Sequence, residues 1–275
     1  MRSNIKQVVG LICLLALVVL VYKGRDYTSL ALLHQGKYAY SEADYESAYT
    51  NLKRAAEWWD NPEAQFLLGV MFNDGLGLKR NQELAAELIL KAANQGYVSA
   101  QSALGTAYSQ GMGVEQDYKK AAEWYLKAAN QRDGVAQEKL GQMYEKGRGV
   151  EQDYNQAAEW YLKAANQGQA VSQYNIAFFY DKGFGIEQDQ ELAVRWYRMA
   201  AGQGIVYAQR NLALKYVFGV GVPRNLIKAY KWASLVAQQG DEKGAKIVTL
   251  LTRDMTPEQI EKAEKLAREW KPKKD

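Results

Sequence analysis

The chain has 275 residues, 48% of them hydrophobic, which is enough to bury a large core. Its formal net charge is +4, but the first 25 residues hold four basic residues and no acid. Removing those four from the 35 basic residues leaves 31, against 31 Asp and Glu. Because nucleic-acid binding requires a clustered excess of Lys and Arg, this balance argues against a nucleic-acid partner.

The first element in chain order is an uncharged apolar segment, Val8–Val21, which follows Arg2 and Lys6. This order is typical of an export signal. The next residues, Tyr22–Arg25, make a poor cleavage site, so we expect residues 1–25 to form an uncleaved signal anchor. The N-terminus would then be cytoplasmic, and the rest of the chain would be exported. Export after cleavage and a buried helix of a soluble protein are the alternatives.

Residues 26–63 are predicted to form a degenerate repeat unit. The stretch that begins at Gly36 places Ala48, Ala55 and Ala56 at the spacing of the second helix of the units that follow. One extra residue before Pro62 breaks this spacing.

Residues 64–243 contain five regular units with a period of 36 residues. Residues 113–131 (GVEQDYKKAAEWYLKAANQ) recur at 149–167 with two differences. Within one unit, Ala100, Leu104 and Tyr108 lie on a single helical face, and a second helix repeats the pattern AAxWYxxAA. One helix pair cannot bury such faces alone, whereas stacked pairs can. We therefore predict an all-α, right-handed α/α superhelical solenoid of helix-turn-helix repeats.

A Gly-x-Gly pair recurs in every unit, for example Gly147 and Gly149. None of these pairs has the additional glycine of a dinucleotide-binding loop or the Gly-Lys-Ser/Thr of a P-loop. We interpret them as turns that end the first helix of each unit in a left-handed conformation.

Residues 244–275 are predicted to form C-terminal capping helices and a charged tail. Thr256–Gln259 has the pattern of a helix start, with a capping residue, a proline and an amide. Apolar residues recur on one side of the following helix, at Ile260, Ala263, Ala267 and Trp270.

The pattern AxxxLGxxYxxGxGV followed by AxxWYxxAAxQG resembles the Sel-one-like repeat, or SLR, a relative of the tetratricopeptide repeat. The resemblance is close over residues 64–243 and loose over residues 28–63 and 244–270. It implies an α/α solenoid that acts as an adaptor or scaffold, often in the bacterial envelope. Together with the predicted anchor, it suggests a single-pass protein of the bacterial inner membrane with its repeats in the periplasm. A cysteine-rich branch of the family is associated with β-lactam binding, but this chain lacks the paired cysteines of that branch.

Candidate catalytic residues are absent from the sequence pattern. The single histidine, His34, and the single cysteine, Cys13, exclude ordinary His/Cys metal sites by count. Carboxylate pairs such as Glu115 and Asp117 recur in the following units, which favours a role at helix N-termini. We therefore predict no catalytic residue, no metal, no cofactor and no enzymatic activity.

A partner is expected to bind where the repeats differ. In the first helix of each unit, the second and sixth positions after the leading small residue face away from the repeated stripe, and we expect them to line a concave groove. The fourth unit carries two aromatic residues there, and aromatic and Arg residues are enriched at binding hot spots. The predicted partner-binding residues are Tyr174, Phe178, Asn175, Arg210, Leu214, Glu138, Gln142 and Phe66. The alternative is that Tyr174 and Phe178 pack on a neighbouring helix pair.

The predicted function is a non-enzymatic scaffold of the bacterial envelope that binds a protein partner in this groove. One alternative is an immunity protein that neutralises a secreted, type VI-like phospholipase or lipase toxin. A second alternative is an envelope hydrolase, such as an enzyme acting on β-lactams.

Overall fold

The computed structural model describes residues 28–272, and within this range the chain forms fourteen helices and no strand. Helix α1 covers residues 28–41 of the described range. The next helices are α2 (Tyr45–Trp59), α3 (Pro62–Asp74), α4 (Gln82–Asn94), α5 (Val98–Gln110), α6 (Tyr118–Asn130) and α7 (Gly134–Lys146). They are followed by α8 (Tyr154–Asn166), α9 (Ala170–Lys182), α10 (Gln190–Gly202), α11 (Val206–Phe218), α12 (Leu226–Gln238), α13 (Glu242–Leu251) and α14 (Pro257–Arg268).

The helices form an all-helical solenoid of repeated pairs, as the sequence predicts. Helices α3 to α12 each contain 13 residues, and equivalent helices start 36 residues apart. The chain divides into two compact units, Met1–Ala128 and Ala129–Asp275. The right-handed superhelix and the predicted domain boundaries stay predictions.

The repeated Asp before α6, α8 and α10 caps each of these second helices, and an Asn caps α4 and α12 in the same way. The Asp153 carboxylate accepts hydrogen bonds from the backbone N–H groups of Asn155 and Gln156 at 2.8 and 3.1 Å. Such a cap pairs backbone donors that have no partner inside the helix. Thr256 and Gln259 form the predicted capping box at the start of α14.

The two glycines of each Gly-x-Gly pair have separate structural tasks. Gly183 ends α9 with a φ of 74°, in the left-handed region. Gly185 also has a positive φ, and a Cβ atom there would overlap the backbone of Tyr154 at the start of α8. The pair therefore forms a turn that lies directly against the preceding helix pair, as expected for architecture rather than for a phosphate-binding loop.

Small residues allow the two helices of a pair to approach closely. A Cβ atom at Gly141 in α7 would lie 2.7 Å from the ring of Tyr161 in α8, which is itself fully buried. Ala157 and Ala164 are also fully buried in α8. The aromatic residue of the second helix thus fills the space above the glycine of the first.

A buried glutamine in the first helix of a repeat links that helix to the last helix of the preceding repeat and to the end of its own second helix. Gln173 in α9 donates its amide N–H to the carbonyl oxygen of Ala165 in α8 at 3.4 Å. Its amide oxygen accepts a hydrogen bond from Gln203, the C-cap of α10, at 3.1 Å. Gln209 makes the equivalent bonds to Ala201 and from Gln239. We call this row of side-chain amides the glutamine ladder.

The predicted location in the inner membrane requires a correction. No helix within residues 28–272 is long and apolar enough to cross a membrane. Helices α2 to α14 contain 10 to 15 residues, whereas a span needs about 20. The prediction of a single-pass inner-membrane protein is therefore wrong on this structure. The predicted anchor, Val8–Val21, lies outside the described residues.

The second glycine of the last Gly-x-Gly pair offers a test of the turn. Gly221→Ala places a Cβ atom against the carbonyl oxygen of Gln190, whereas Gly240→Ala meets no atom within 4 Å. Both glycines have a positive φ. We expect Gly240→Ala to reduce the free energy of unfolding by about 1 kcal/mol and Gly221→Ala by about 3 kcal/mol. Urea denaturation measures both, and equal losses would contradict the close approach.

The glutamine ladder is tested by Gln209→Leu. The change keeps the side-chain volume nearly constant but removes the bonds to Ala201 and Gln239, so we expect the free energy of unfolding to fall by about 2 kcal/mol. Gln238→Leu, at an exposed position beside the ladder, is the control and should change it by less than about 0.5 kcal/mol. Thermal denaturation compares the two, and a stable Gln209→Leu variant would show that the ladder is dispensable.

Candidate functional site

The first helices α7, α9 and α11 line two cavities in the second compact unit. The larger has a volume of about 570 Å³, and Gln142, Tyr174, Asn175 and Tyr207 are among its lining residues. We call it the Tyr174 cavity. The smaller, of about 310 Å³, is lined by residues that include Phe178, Leu214 and Phe218, and we call it the Phe178 cavity.

Tyr174 is half-buried and lies between two other tyrosines. Its ring centroid is 6.0 Å from that of Tyr197 and 6.0 Å from that of Tyr207. Tyr197 is fully buried, whereas Tyr207 is 56% exposed. Burial raises the pKa of the Tyr174 hydroxyl, so this group stays neutral at ordinary pH. Tyr174 therefore packs partly in the core and is partly exposed. This position is compatible with both interpretations of the sequence, namely packing on a neighbouring helix pair and contact with a partner.

The Phe178 cavity has an apolar rim and a charged base. Phe178 packs edge-on against Phe184 with ring centroids 5.8 Å apart. Phe218, at the end of α11, is 71% exposed. At the base, Lys215 forms an ion pair with Asp181 at 2.5 Å, so the two buried charges compensate each other.

Glu138 and Gln142 interact with each other on α7. The Glu138 carboxylate accepts hydrogen bonds from Gln142 at 3.1 Å and from the Ser172 hydroxyl at 3.5 Å. Burial raises the pKa of the Glu138 carboxyl. Of these two predicted residues, Gln142 lines the Tyr174 cavity, while Glu138 supports it.

Arg210 is engaged inside the protein. Its guanidinium donates to the carboxylate of Asp241, the N-cap of α13, at 2.7 Å and lies 5.1 Å from the ring centroid of Tyr207. Backbone hydrogen bonds from Gly244 and Lys243 and the charge of Arg210 lower the pKa of Asp241. Arg210 lines neither cavity, and its contacts fix the position of the Tyr207 ring instead.

Phe66 lies in the other compact unit, on α3. Its ring centroid is 5.4 Å from that of Tyr97, against which it is partly buried. It lines neither the Tyr174 cavity nor the Phe178 cavity.

The sequence analysis missed three exposed apolar residues beside the predicted ones, namely Val171, Tyr207 and Phe218. The signal for two of them is the position directly before the leading small residue of the first helix. In the first compact unit, that position holds Glu63 and Ser99. In the second compact unit, it holds three exposed apolar residues, Val135 (49%), Val171 (41%) and Tyr207 (56%). An exposed apolar residue thus recurs at this position in α7, α9 and α11, and two of the three, Val171 and Tyr207, line the Tyr174 cavity.

Metal-binding geometry does not occur in the part of the chain that the structure describes. No group of three or more His, Cys, Asp or Glu residues in residues 28–272 could hold a metal ion. The acids that line the two cavities are engaged inside the protein: Asp181 forms an ion pair with Lys215, and Glu145 accepts a hydrogen bond from Tyr161.

The family model of the Sel1 repeat matches six segments of the chain. They are residues 29–57, 62–97, 98–133, 134–169, 170–205 and 206–241. The chain belongs to the Sel1 repeat family. Each full match covers one helix pair of the structure, from α3 and α4 to α11 and α12. Sel1 repeats are generally a non-catalytic fold for protein–protein interaction, so a surface formed by such helix pairs is a place where a protein partner binds.

Solved structures show the same fold. A Sel1 repeat protein from Oxalobacter formigenes is 32% identical, with a TM-score of 0.72, over 90% of this chain and 98% of that chain. A protective antigen with an SLR fold, present in uropathogenic Escherichia coli strains, is 25% identical, with a TM-score of 0.53, over 88% of this chain and 68% of that chain. No curated protein matches the chain.

An immunity protein from Pseudomonas aeruginosa is also similar. It is 22% identical, with a TM-score of 0.41, over 76% of this chain and 79% of that chain. A similarity at this level carries no argument about function. The predicted role as an immunity protein therefore stays a prediction, as does the envelope hydrolase.

The two tyrosines of the Tyr174 cavity should differ in their contribution to stability. Tyr174→Ala removes a half-buried ring that packs on Tyr197, so we expect the free energy of unfolding to fall by about 2 kcal/mol. Tyr207→Ala removes a mostly exposed ring and should cost less than about 1 kcal/mol. Chemical denaturation of both variants measures the difference. Equal costs would show that Tyr174 does not pack as part of the core.

Proposed function

We propose that this Sel1 repeat protein is a non-enzymatic adaptor that binds a protein partner on its α7–α9–α11 surface. We define this surface as the Tyr174 cavity, the Phe178 cavity and the exposed residues Val171, Tyr207 and Phe218. The observation that supports it is the position of these three apolar side chains around two adjacent cavities. Exposed apolar groups at concave sites are typical of protein-binding surfaces.

The rigidity of the surface favours binding. Tyr207 is held between Tyr174 and the guanidinium of Arg210, and Arg210 is fixed in turn by Asp241. A side chain that is already ordered loses little conformational entropy when a partner covers it. Tyr207 therefore has the properties of a hot-spot residue, namely an aromatic ring that is exposed and held in place.

The charges of the surface favour a mixed polar rim around an apolar centre. The acids inside it have partners in the protein: Asp181 pairs with Lys215, and Glu145 accepts a hydrogen bond from Tyr161 at 2.5 Å. Lys146 and Lys182 lie at the margins of the two cavities. A polar margin around a desolvated apolar centre is the usual anatomy of a protein interface.

Val171→Asp tests the proposal with little risk to the fold. Val171 is exposed in the first turn of α9, where a negative charge interacts favourably with the helix dipole. In the Tyr174 cavity, however, the carboxylate would be desolvated by a bound partner. We expect the variant to bind the partner at least about tenfold more weakly, a loss of about 1.4 kcal/mol.

The measurement compares three purified baits, the wild type, Val171→Asp and Leu250→Asp. Leu250 is 59% exposed on α13 and lies outside both cavities, so its variant controls for an added charge at an exposed apolar site. A stoichiometric protein captured by the wild type and Leu250→Asp but lost with Val171→Asp is then purified and titrated by calorimetry. Equal affinity for all three baits would place the binding surface elsewhere.

A further inference from the structure

The second helices of the same compact unit line a third cavity, of about 610 Å³. It lies between α8, α10, α12 and the segment after α14, and three indole side chains contribute to its wall: Trp196, Trp232 and Trp270. The rings of Trp232 and Trp270 meet edge-on with centroids 6.0 Å apart. We call this space the indole cavity, and it shares none of its lining residues with the Tyr174 or Phe178 cavities.

The cavity exists where the helix pattern departs from the other repeats. In α8, Lys163 lies 4.0 Å from the ring centroid of Trp160 and covers it. The equivalent position in α10 holds Met199, beside Trp196. The asparagine that ends α4, α6 and α8 is replaced by Gly202 in α10, where an added Cβ would meet no atom within 4 Å. Two substitutions thus leave the indole wall open.

The charge of this face departs from the repeat as well. The position of Glu159 in α8 holds Arg195 in α10 and Lys231 in α12. Glu159 forms an ion pair with Lys163 at 2.7 Å within its own helix. In α12 the position four residues after Lys231 holds Leu235, so this internal pair cannot form. The acid–base pair of α8 thus has no counterpart within α12.

Within residues 28–272, the charged residues that line the indole cavity are all basic. They are Arg198, Lys231 and Lys271, and no Asp or Glu of this range lies among the lining residues. The Lys231 ammonium lies 4.5 Å from the ring centroid of Trp232, and no carboxylate within residues 28–272 forms an ion pair with it. Burial lowers the pKa of Lys231, because its charge is poorly solvated. An anion at this point would replace the missing solvation.

We propose that the indole cavity binds an acidic peptide segment whose large apolar side chain enters between the three indoles. A volume of about 610 Å³ accommodates such a side chain with its backbone. An extended acidic chain fits better than a single small anion, because the basic residues continue outside the cavity. Arg195 is exposed one helical turn before Arg198 and lies beyond the cavity lining.

The test titrates the protein with a fluorescein-labelled peptide that has a central leucine and three glutamates on each side. Two control peptides replace the leucine by glycine or all glutamates by lysine. We expect saturable binding of the acidic leucine peptide in fluorescence anisotropy, about tenfold weaker binding of the glycine peptide, and no binding of the lysine peptide. Equal binding of all three peptides, or no binding of the first, would overturn the proposal.

Lys231→Glu tests the site within the protein. Glutamate occupies this position in α4, α6 and α8, so the helix pair accommodates it, and Lys231→Gln serves if the glutamate variant does not fold. We expect at least about tenfold weaker peptide binding, whereas Lys262→Glu, an equal charge change at an exposed position of α14, should leave the affinity within about twofold. Equal losses of peptide affinity in Lys231→Glu and Lys262→Glu would show that the effect comes from net charge alone, and would overturn the assignment of the site.

Two further measurements distinguish peptide binding in the indole cavity from binding on the α7–α9–α11 surface and from binding to a lipid surface. Val171→Asp alters the α7–α9–α11 surface and should leave peptide affinity unchanged, so this inference and the proposed adaptor function can fail independently. Vesicles that contain phosphatidylglycerol are the second arm. Vesicle binding that Lys231→Glu abolishes, without binding of the acidic peptide, would assign the cavity to a lipid surface and overturn the proposal.

Discussion

The architecture depends on a buried amide that recurs in each first helix. In the second compact unit, the Gln173 side chain donates a hydrogen bond to the carbonyl oxygen of Ala165 in α8. It also accepts a hydrogen bond from the side-chain amide of Gln203, which follows α10. Gln209 repeats this arrangement, and both side chains are almost completely buried. A buried amide without partners is costly, so a helix shifted by one residue would lose these bonds. The glutamine ladder therefore holds the register of the helices, while alanine and glycine determine only how closely they approach.

A register held by a few small and polar residues leaves many surface positions free to differ. On the first helices, this freedom places Val171, Tyr207 and Phe218 around two cavities of the second unit. The neighbouring polar residues are largely occupied inside the protein. Arg210, for example, holds Asp241 and orders the Tyr207 ring. The surface offers a partner ordered aromatic groups more than free charges, and such groups dominate the energy of most interfaces.

The second helices of the same compact unit also differ between repeats at their surface positions, but with different chemistry. In α8, an acid and a lysine pair within one helix, and the lysine covers the repeated tryptophan. In α10 and α12, the acid is replaced by Arg195 and Lys231. The result is an indole wall with cations around it, in contrast to the tyrosine and phenylalanine surface of the first helices. The two faces therefore favour ligands of different chemistry.

The sequence by itself determined the helical class, the 36-residue repeat, the capping box at Thr256 and the turns at the glycine pairs, because each depends on local conformation or on helical periodicity. It did not determine which variable side chains remain available. Arg210 and Phe66 satisfy the hot-spot pattern in sequence, yet Arg210 pairs with Asp241 and Phe66 packs on Tyr97. The predicted location in the inner membrane was wrong on the described helices. Only the tertiary structure decided which of these side chains are available to a partner. Their availability depends on contacts between residues some thirty positions apart, such as Arg210 and Asp241, and helical periodicity does not reveal such contacts.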